Sequence, residues 1–116
     1  MMAQRSEARL DAVLAALADP TRRTIIERLI RRGEMAVGEV AAPFRISAPA
    51  ISRHLRVLER AGLIERRAQK QWRMVCARPA ALRPVESWLA RTRRHWEDAL
   101  DRLAAFAAAD QVDDQS

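Results

Sequence analysis

The chain has 116 residues, which is enough for one domain with a modest core. Lys and Arg total 21 against 15 Asp and Glu, so the formal charge is +6 and a polyanionic partner is favoured. No apolar run approaches the ~20 residues of a membrane span, and the charged residues Arg5, Glu7 and Arg9 are unlike a secretory signal. We therefore expect a cytoplasmic protein with no membrane partner.

Arginine supplies nearly all of the positive charge, because Lys70 is the single lysine of the chain. Arginine binds phosphate and guanine through two parallel hydrogen bonds, which agrees with a nucleic acid as the partner. A high-GC genome would also raise the arginine share, so this excess is supporting evidence only.

Two helices are predicted at the start of the chain. The first covers about Ser6 to Leu17. Its apolar stripe consists of Leu10, Val13, Leu14 and Leu17. The second begins at Asp19-Pro20, because Asp is a favoured N-cap and Pro fits the first helical turn, and it stops at Gly33.

A short helix and a longer, capped helix follow. Helical spacing predicts the short helix over Val37–Ala42, and Pro43 ends it. The longer helix has Ser47 as its N-cap and runs to Ala61. A short helix, a tight connection and a second helix are together typical of a helix-turn-helix.

Gly62 indicates how the longer helix ends. If Gly62 adopts the left-handed conformation after the helix, then Leu58 and Leu63 are the two residues whose apolar contact accompanies a Schellman motif. This agreement supports a helix boundary at Ala61.

The longer helix has a narrow apolar face and a basic face. Ile51, Leu55 and Leu58 share the apolar face, which is expected to dock on the core. The residues opposite it and on its flank are Pro49, Ser52, Arg53 and Arg56. Such a helix suits a DNA major groove, where Arg reads guanine and phosphate. A solvated amphipathic helix with incidental arginines is the alternative.

A β-hairpin wing is predicted next. Leu63–Arg66 and Trp72–Ala77 suit short strands, and the polar run 67–71 lies between them. Its basic residues are placed to lie along a DNA backbone or minor groove, although charge at a hairpin tip also keeps a strand edge soluble.

The longest periodic pattern begins at Pro79 or Ala81 and predicts a long last helix. Its apolar stripe contains Leu82, Val85, Trp88, Leu89, Thr92, Trp96, Ala99, Leu100, Leu103, Phe106 and Ala107. This stripe presents more apolar surface than the preceding helices plausibly cover, so we expect a partner subunit; folding back on its own domain is the alternative. The domain is predicted over 1–109, and 110–116 is expected to be a disordered polar tail.

These residues together resemble the ArsR-type winged helix-turn-helix repressors of bacteria. The resemblance covers about Leu14 to Phe106. Its most specific parts are Ala18-Asp19-Pro20-Thr21-Arg22-Arg23, Ser52-Arg53-His54-Leu55 with Val57-Leu58, and Ala61-Gly62-Leu63-Ile64. The stretch Gln71-Trp72-Arg73, with Trp88-Leu89 and Trp96-Glu97, is similar to a branch of the family without metal sites.

The resemblance implies a mainly α fold, a winged helix-turn-helix with a two-stranded β-hairpin wing and a long C-terminal dimerisation helix. It implies a homodimeric repressor that binds double-stranded operator DNA and is released by a signal, such as an unidentified small-molecule effector. Two recognition helices related by a two-fold axis would read an inverted repeat.

The expected site residues follow from the helical faces and from the resemblance, which alone supplies Ala48. The DNA-binding residues are expected to be Ser47, Ala48, Pro49, Ser52, Arg53, His54, Arg56, Arg66, Arg67 and Lys70. The dimer interface is expected to contain Leu10, Val13, Leu14, Leu17, Val85, Trp88, Leu89, Trp96, Leu100 and Leu103. His54 has two interpretations, a phosphate contact or a structural role.

The chain departs from the metal-sensing members of the family. They carry two cysteines in a Glu-Leu-Cys-Val-Cys-Asp-Leu pattern, where this chain has Glu34-Met35-Ala36-Val37-Gly38-Glu39-Val40. The last helix offers His95 as its one histidine, too few imidazoles for the other metal site of the family. We therefore expect neither a metal nor another cofactor.

No arrangement of residues indicates catalysis. The chain lacks a nucleophile paired with a base and a Gly-rich phosphate loop, so we do not expect an enzyme. Cys76, a lone thiol, is interpreted as a small strand hydrophobe, with oxidant sensing as the alternative. The alternative function is a protein-interaction module that uses the Trp-bearing last helix.

Overall fold

The computed structural model describes the backbone of residues 2–114 and the side chains of residues 4–110. Its helices are α1 (Met2–Leu17), α2 (Pro20–Arg32), α3 (Val37–Ala41), α4 (Ala48–Arg60) and α5 (Arg83–Asp114). Its strands are β1 (Met35–Ala36), β2 (Ile64–Gln69) and β3 (Trp72–Ala77). The chain up to Val85 forms one compact unit, and the chain from Glu86 forms a second. The assignment of both to one domain over 1–109 stays a prediction.

The sequence signals at the ends of α2 are confirmed. The Asp19 carboxylate accepts a hydrogen bond of 3.0 Å from the backbone N–H of Arg22, which satisfies a donor of the first helical turn. Gly33 ends the helix with φ 80°, and its N–H donates to the Leu29 carbonyl at 2.8 Å. The preceding helix α1 begins at Met2, ahead of the predicted Ser6.

The predicted Schellman ending of α4 is also confirmed. Gly62 has φ 78°, and its N–H donates to the Glu59 carbonyl at 3.0 Å. The N–H of Leu63 donates to the Leu58 carbonyl, also at 3.0 Å. This pair of bonds caps two carbonyls at the end of α4 and turns the chain toward β2.

The predicted winged helix-turn-helix with a two-stranded wing is confirmed, the wing being the hairpin β2–β3, and a strand that was not predicted joins it. The sheet has three antiparallel strands in the order β1-β3-β2, because β1 pairs with β3 through Met35↔Val75 and Ala36↔Met74. The hairpin itself is longer than predicted, since β2 continues to Gln69 and its turn is reduced to Lys70 and Gln71.

One hydrophobic core lies within the first unit and draws side chains from its helices and from the sheet. Its buried members are Val13, Ala16, Ile25, Ile26, Leu29, Met35, Val40, Ile51, Leu55, Leu58, Leu63, Ile64 and Val75. The expectation that Val13 lies in a dimer interface is wrong, because Val13 is 1% exposed in this core and has no surface to offer a partner.

The second unit is the long helix. A 3₁₀ turn over Pro79–Leu82 precedes α5, which begins at Arg83 and continues to Asp114. The predicted polar tail, 110–116, therefore overlaps the end of this helix and partly lies outside the described residues. No helix within residues 2–114 is both long and apolar enough to cross a membrane.

Candidate nucleic-acid interface

Helix α4 presents the face that the sequence predicted. Ile51, Leu55 and Leu58 are buried in the core. The predicted DNA-contact residues on the outer side are all exposed, namely Ser47, Ala48, Pro49, Ser52, Arg53 and Arg56. The Ser47 hydroxyl accepts a 3.2 Å hydrogen bond from the backbone N–H of Ala50, so the start of α4 is fixed.

Arg53 and Arg56 are the basic residues with the most freedom on this face. Neither guanidinium has an ion-pair or hydrogen-bond partner among the side chains of residues 4–110. An unpaired arginine on a rigid helix keeps its donors available for phosphate or for a guanine edge.

Arg22 connects three elements at the back of α4. Its Nε donates to the Ala16 carbonyl at 2.6 Å, and a terminal nitrogen donates to the Ala15 carbonyl at 3.2 Å. Its other terminal nitrogen lies 3.3 Å from Nδ1 of His54 on α4. Arg22 therefore joins the carbonyl end of α1 to α4. The sequence motif that contains Arg22 did not predict this role, because its partners lie in other helices.

His54 is a half-buried residue of this cluster. Besides Arg22, the carboxylate of Asp19 lies 3.9 Å from its Nδ1. The hydrogen bond from the backbone N–H of Arg22 is the main cause that lowers the pKa of Asp19; burial raises that pKa by less, and the charges of Arg22 and His54 lower it by smaller amounts. Of the two interpretations of His54, these contacts favour the structural one.

Arg28 fixes the first helix of the helix-turn-helix. A terminal nitrogen donates to the Val40 carbonyl at 3.0 Å and approaches the Glu39 carbonyl at 3.4 Å. These are carbonyls of α3, whose start has Ala36 in place of a capping side chain. Glu39 accepts a 3.2 Å hydrogen bond from the Ala36 N–H, which supplies half of a capping box.

Arg67 on the wing is engaged with Glu34. Its Nε and a terminal nitrogen donate to the two carboxylate oxygens at 2.5 and 2.7 Å. The hydrogen bond from Arg67 lowers the pKa of Glu34, and the same bond raises the pKa of Arg67. Arg67 was expected to contact DNA; this bidentate pair engages its Nε and one terminal nitrogen and leaves the other terminal nitrogen without a partner in the described structure.

Arg66 and Lys70, the other predicted basic residues of the wing, have different surroundings. Arg66 is half-buried, its Nε lies 3.6 Å from the Glu59 carboxylate, and two of its nitrogens are buried without a hydrogen-bond partner in the described part of the chain. Lys70 is exposed in the hairpin turn. Arg73, an exposed residue beside the turn, was not predicted as a DNA contact. Like Lys70, it is a basic residue next to the hairpin turn, and that position in the sequence could have identified it.

The predicted dimer residues, apart from Val13, retain accessible surface. Leu10, Leu17 and Val85 are half-buried. Those that are exposed are Leu14, Trp88, Leu89, Trp96, Leu100 and Leu103. Phe106, which was part of the predicted stripe but not of the expected interface, is 71% exposed and continues the exposed series.

Metal-ligating side chains are dispersed in the described structure. No three His, Cys, Asp or Glu residues among the described side chains group closely enough to hold a metal ion. The absence of a metal site and of catalysis stays a prediction.

Comparisons with known proteins agree with this geometry. A family model for a helix-turn-helix domain matches residues 17–67. The HTH-type transcriptional regulator Rv2034 of Mycobacterium tuberculosis is 47% identical over 75 residues, which cover 65% of this chain and 59% of that protein. The transcriptional repressor SdpR of Bacillus subtilis is 34% identical over 80 residues, which cover 69% of this chain and 88% of SdpR.

A solved structure supports the same relationship. The crystal structure of the ArsR family transcriptional regulator RHA00566 superimposes with a TM-score of 0.74 and 36% identity, covering 78% of this chain and 93% of that one. The chain spans less than two thirds of the length of the mycobacterial relative.

A short helix, a capped helix with an exposed basic face and a β-hairpin define a winged helix-turn-helix protein of the DNA-binding regulator class. The similarity to SdpR extends over 88% of that repressor, and the solved structure shares the fold. The chain belongs to the ArsR family of helix-turn-helix transcriptional regulators.

Proposed function

We propose that the protein is a homodimeric, sequence-specific repressor that reads an inverted-repeat operator with the helix Ser47–Ala61. Release from DNA by a small-molecule effector is part of the proposal. The observation that carries it is the outer face of α4, where Arg53 and Arg56 are exposed and unpaired in the described structure. The protein named SdpR, a relative over most of its length, is a repressor.

The proposed dimer rests on the apolar surface of α5. Trp96 is 67% exposed, Leu100 59% and Leu103 64%, although these are residues that folded chains usually bury. A symmetric pair of subunits would bury the same patch on both copies. A two-fold axis through that interface would place the α4 helices in successive major grooves, roughly 34 Å apart.

A pair of substitutions tests the assembly. In the variant Trp96→Glu/Leu100→Glu, two added carboxylates would have to be buried in the interface, so both dimerisation and operator binding should weaken. Arg91→Glu is the matched control. It replaces one positive charge by one negative charge, so it changes the net charge of the protein by the same amount as the double variant does. Sedimentation at micromolar concentration and gel shifts with operator fragments, selected by binding from genomic DNA, measure the two properties.

The outcomes separate the parts of the proposal. A wild-type monomer at these concentrations, or full-affinity binding of one subunit to an isolated half-site, contradicts the two-fold arrangement. Equal binding to operator and to scrambled competitor DNA, at one stated salt concentration, contradicts sequence-specific recognition.

The exposed tryptophans favour one second candidate, a protein-interaction module that uses α5. That function predicts that the Glu variant loses a heterologous partner while Arg53→Ala retains it. The proposed repressor predicts instead that Arg53→Ala weakens DNA binding while the dimer stays intact.

A further inference from the structure

The first turn of α4 is the apolar part of its outer face. Ser47 is the N-cap, and the helix begins with Ala48 and Pro49, which are both exposed. In helix-turn-helix proteins, residues at the start of the recognition helix contact the base edges. The chemistry of this turn therefore bears on which base it can recognise.

This turn has few hydrogen-bond donors to offer DNA. Pro49 has no backbone N–H. The backbone N–H of Ala50 donates to the Ser47 hydroxyl at 3.2 Å, and that of Ile51 donates to the Ser47 carbonyl at 3.1 Å. The side-chain surface that the turn presents consists of the Ala48 methyl group and the Pro49 ring.

Pro49 is a neighbour of Arg53 on the outer face of α4. Residues four apart lie one turn apart on the same side of a helix. Both residues are exposed, and Arg53 has no acidic partner among the described side chains. A guanidinium that reaches a guanine or a phosphate from this face therefore brings the Pro49 ring toward the same groove.

The thymine C5 methyl is the apolar group among the base edges of the major groove, where the other recognition groups are hydrogen-bond donors and acceptors. An apolar surface placed on a donor or acceptor would remove its water without supplying a replacement bond, which costs free energy. A methyl group placed against the same surface loses only unfavourable contact with water. The first turn of α4 is thus matched to thymine.

We propose that Ala48 and Pro49 recognise a thymine in each operator half-site through its C5 methyl group. The inference rests on the proposed function and adds the base that the apolar turn selects. The contact carries no charge, so it contributes to sequence preference without contributing to the salt dependence of binding, which phosphate contacts govern.

The test replaces thymine by uracil, one position at a time, in an operator fragment selected from genomic DNA by binding to the full chain. The replacement removes the methyl group and keeps the base pair and the O4 acceptor. At one thymine in each half-site, binding in gel shifts should weaken about fourfold, and about fifteenfold when both symmetric thymines are replaced. These ratios should stay constant as salt is raised, although the affinity itself falls.

A protein variant locates the methyl contact on α4. In Ala48→Gly/Pro49→Ala the apolar surface of the first turn is smaller, so the ratio of affinities for the thymine and uracil operators should fall toward one. Arg56→Ala, on the same face, is the matched control: it should weaken binding to both operators and leave their ratio unchanged. Thermal melts establish that each variant is folded, and the uracil series with the wild-type protein requires no variant.

The outcomes separate this inference from the proposed function. A specifically bound operator in which no single thymine is sensitive would overturn the inference and leave the repressor proposal standing. The same conclusion follows if the sensitivity persists undiminished in Ala48→Gly/Pro49→Ala. Equal binding to operator and to scrambled DNA would instead overturn the repressor proposal, and the inference with it.

Discussion

The recognition helix α4 and the wing are both rich in arginine, but their arginines have different surroundings. On α4, Arg53 and Arg56 are exposed and have no acidic partner among the described side chains. On the wing, Arg67 is bound by Glu34, and Arg66 lies against Glu59. Positive charge is thus available on the helix and largely neutralised at the base of the wing.

This difference separates two uses of one residue type. The paired wing arginines join the sheet to neighbouring elements, since Glu34 precedes β1 and Glu59 belongs to the end of α4. The unpaired ones on α4 keep their donors available for the proposed DNA contacts. The charge of +6 is therefore a poor guide to how many arginines contact the nucleic acid.

The largest expected effect comes from Arg53. Arg53→Ala should weaken operator binding by about 1 to 3 kcal/mol if the side chain reads a guanine, with melting unchanged because the residue is exposed. Arg67→Ala is the matched control and should cost less, since Glu34 holds its Nε and one terminal nitrogen. Gel shifts and thermal melts measure both, and a larger loss for Arg67→Ala would reverse the comparison.

A second expected effect is on stability, at the cluster behind α4. Asp19→Ala removes the N-cap of α2 and the acid beside Arg22, which should lower the free energy of unfolding by about 1 kcal/mol. Asp19→Asn should lose less, because Asn is also a good N-cap. Denaturant unfolding at neutral pH measures the difference; no loss in Asp19→Ala would show that the cap is dispensable.

The same carboxylate predicts a pH dependence. Its pKa is lowered in the folded chain, so its stabilising contribution is complete above the unfolded value of about 3.9 and is lost as pH falls through the lower folded value. The stability of Asp19→Asn should therefore fall less steeply in that acid range than that of the wild type.

Local sequence was sufficient to predict the features that neighbouring residues determine. The caps at Asp19 and Ser47 and the Schellman motif at Gly62 join residues within one or two helical turns, so spacing alone identifies them. The apolar and basic faces of α4 followed from the same periodicity.

Features that depend on distant residues were missed. Strand β1 has two residues, too few to show an alternating pattern. Its partner β3 comes after α3 and α4 in the sequence. The apolar stripe of a helix also does not distinguish residues that pack in the core of their own chain from residues that pack against a partner subunit. Val13 packs in the core of its own chain. Likewise, the pairing of Glu34 with Arg67 joins residues that no local pattern connects.

The hairpin turn gives a smaller expected effect. Lys70 has φ 57°, a left-handed conformation that costs a residue with a Cβ roughly 1 to 2 kcal/mol. Lys70→Gly should raise the free energy of unfolding by up to about 1 kcal/mol, because glycine adopts this conformation without steric cost but is freer in the unfolded chain. Gln71→Gly is the control and should not stabilise, and equal effects would contradict a role for the turn geometry.

The smallest expected effect comes from a variant that would leave a wing arginine unpaired, as Arg53 and Arg56 are on α4. Glu34→Gln releases Arg67 from its carboxylate, so its guanidinium gains freedom to contact a phosphate. Operator affinity should then rise slightly, and the slope of log affinity against log salt should steepen by up to about one if one further contact forms. The double variant Glu34→Gln/Arg67→Gln is the control and should return the slope to the wild-type value.

The stability of Glu34→Gln at acid pH tests whether the ion pair between Glu34 and Arg67 stabilises the fold. The pKa of Glu34 is lowered by Arg67, so the pair stabilises the fold above the unfolded value of about 4.3 and this contribution disappears as pH falls through the lower folded value. In Glu34→Gln that part of the acid dependence should be absent. An unchanged salt slope in Glu34→Gln, together with weaker operator binding by Arg67→Ala, would mean that Arg67 contacts DNA whether or not Glu34 holds it, and the wing would then belong with α4 as a binding surface.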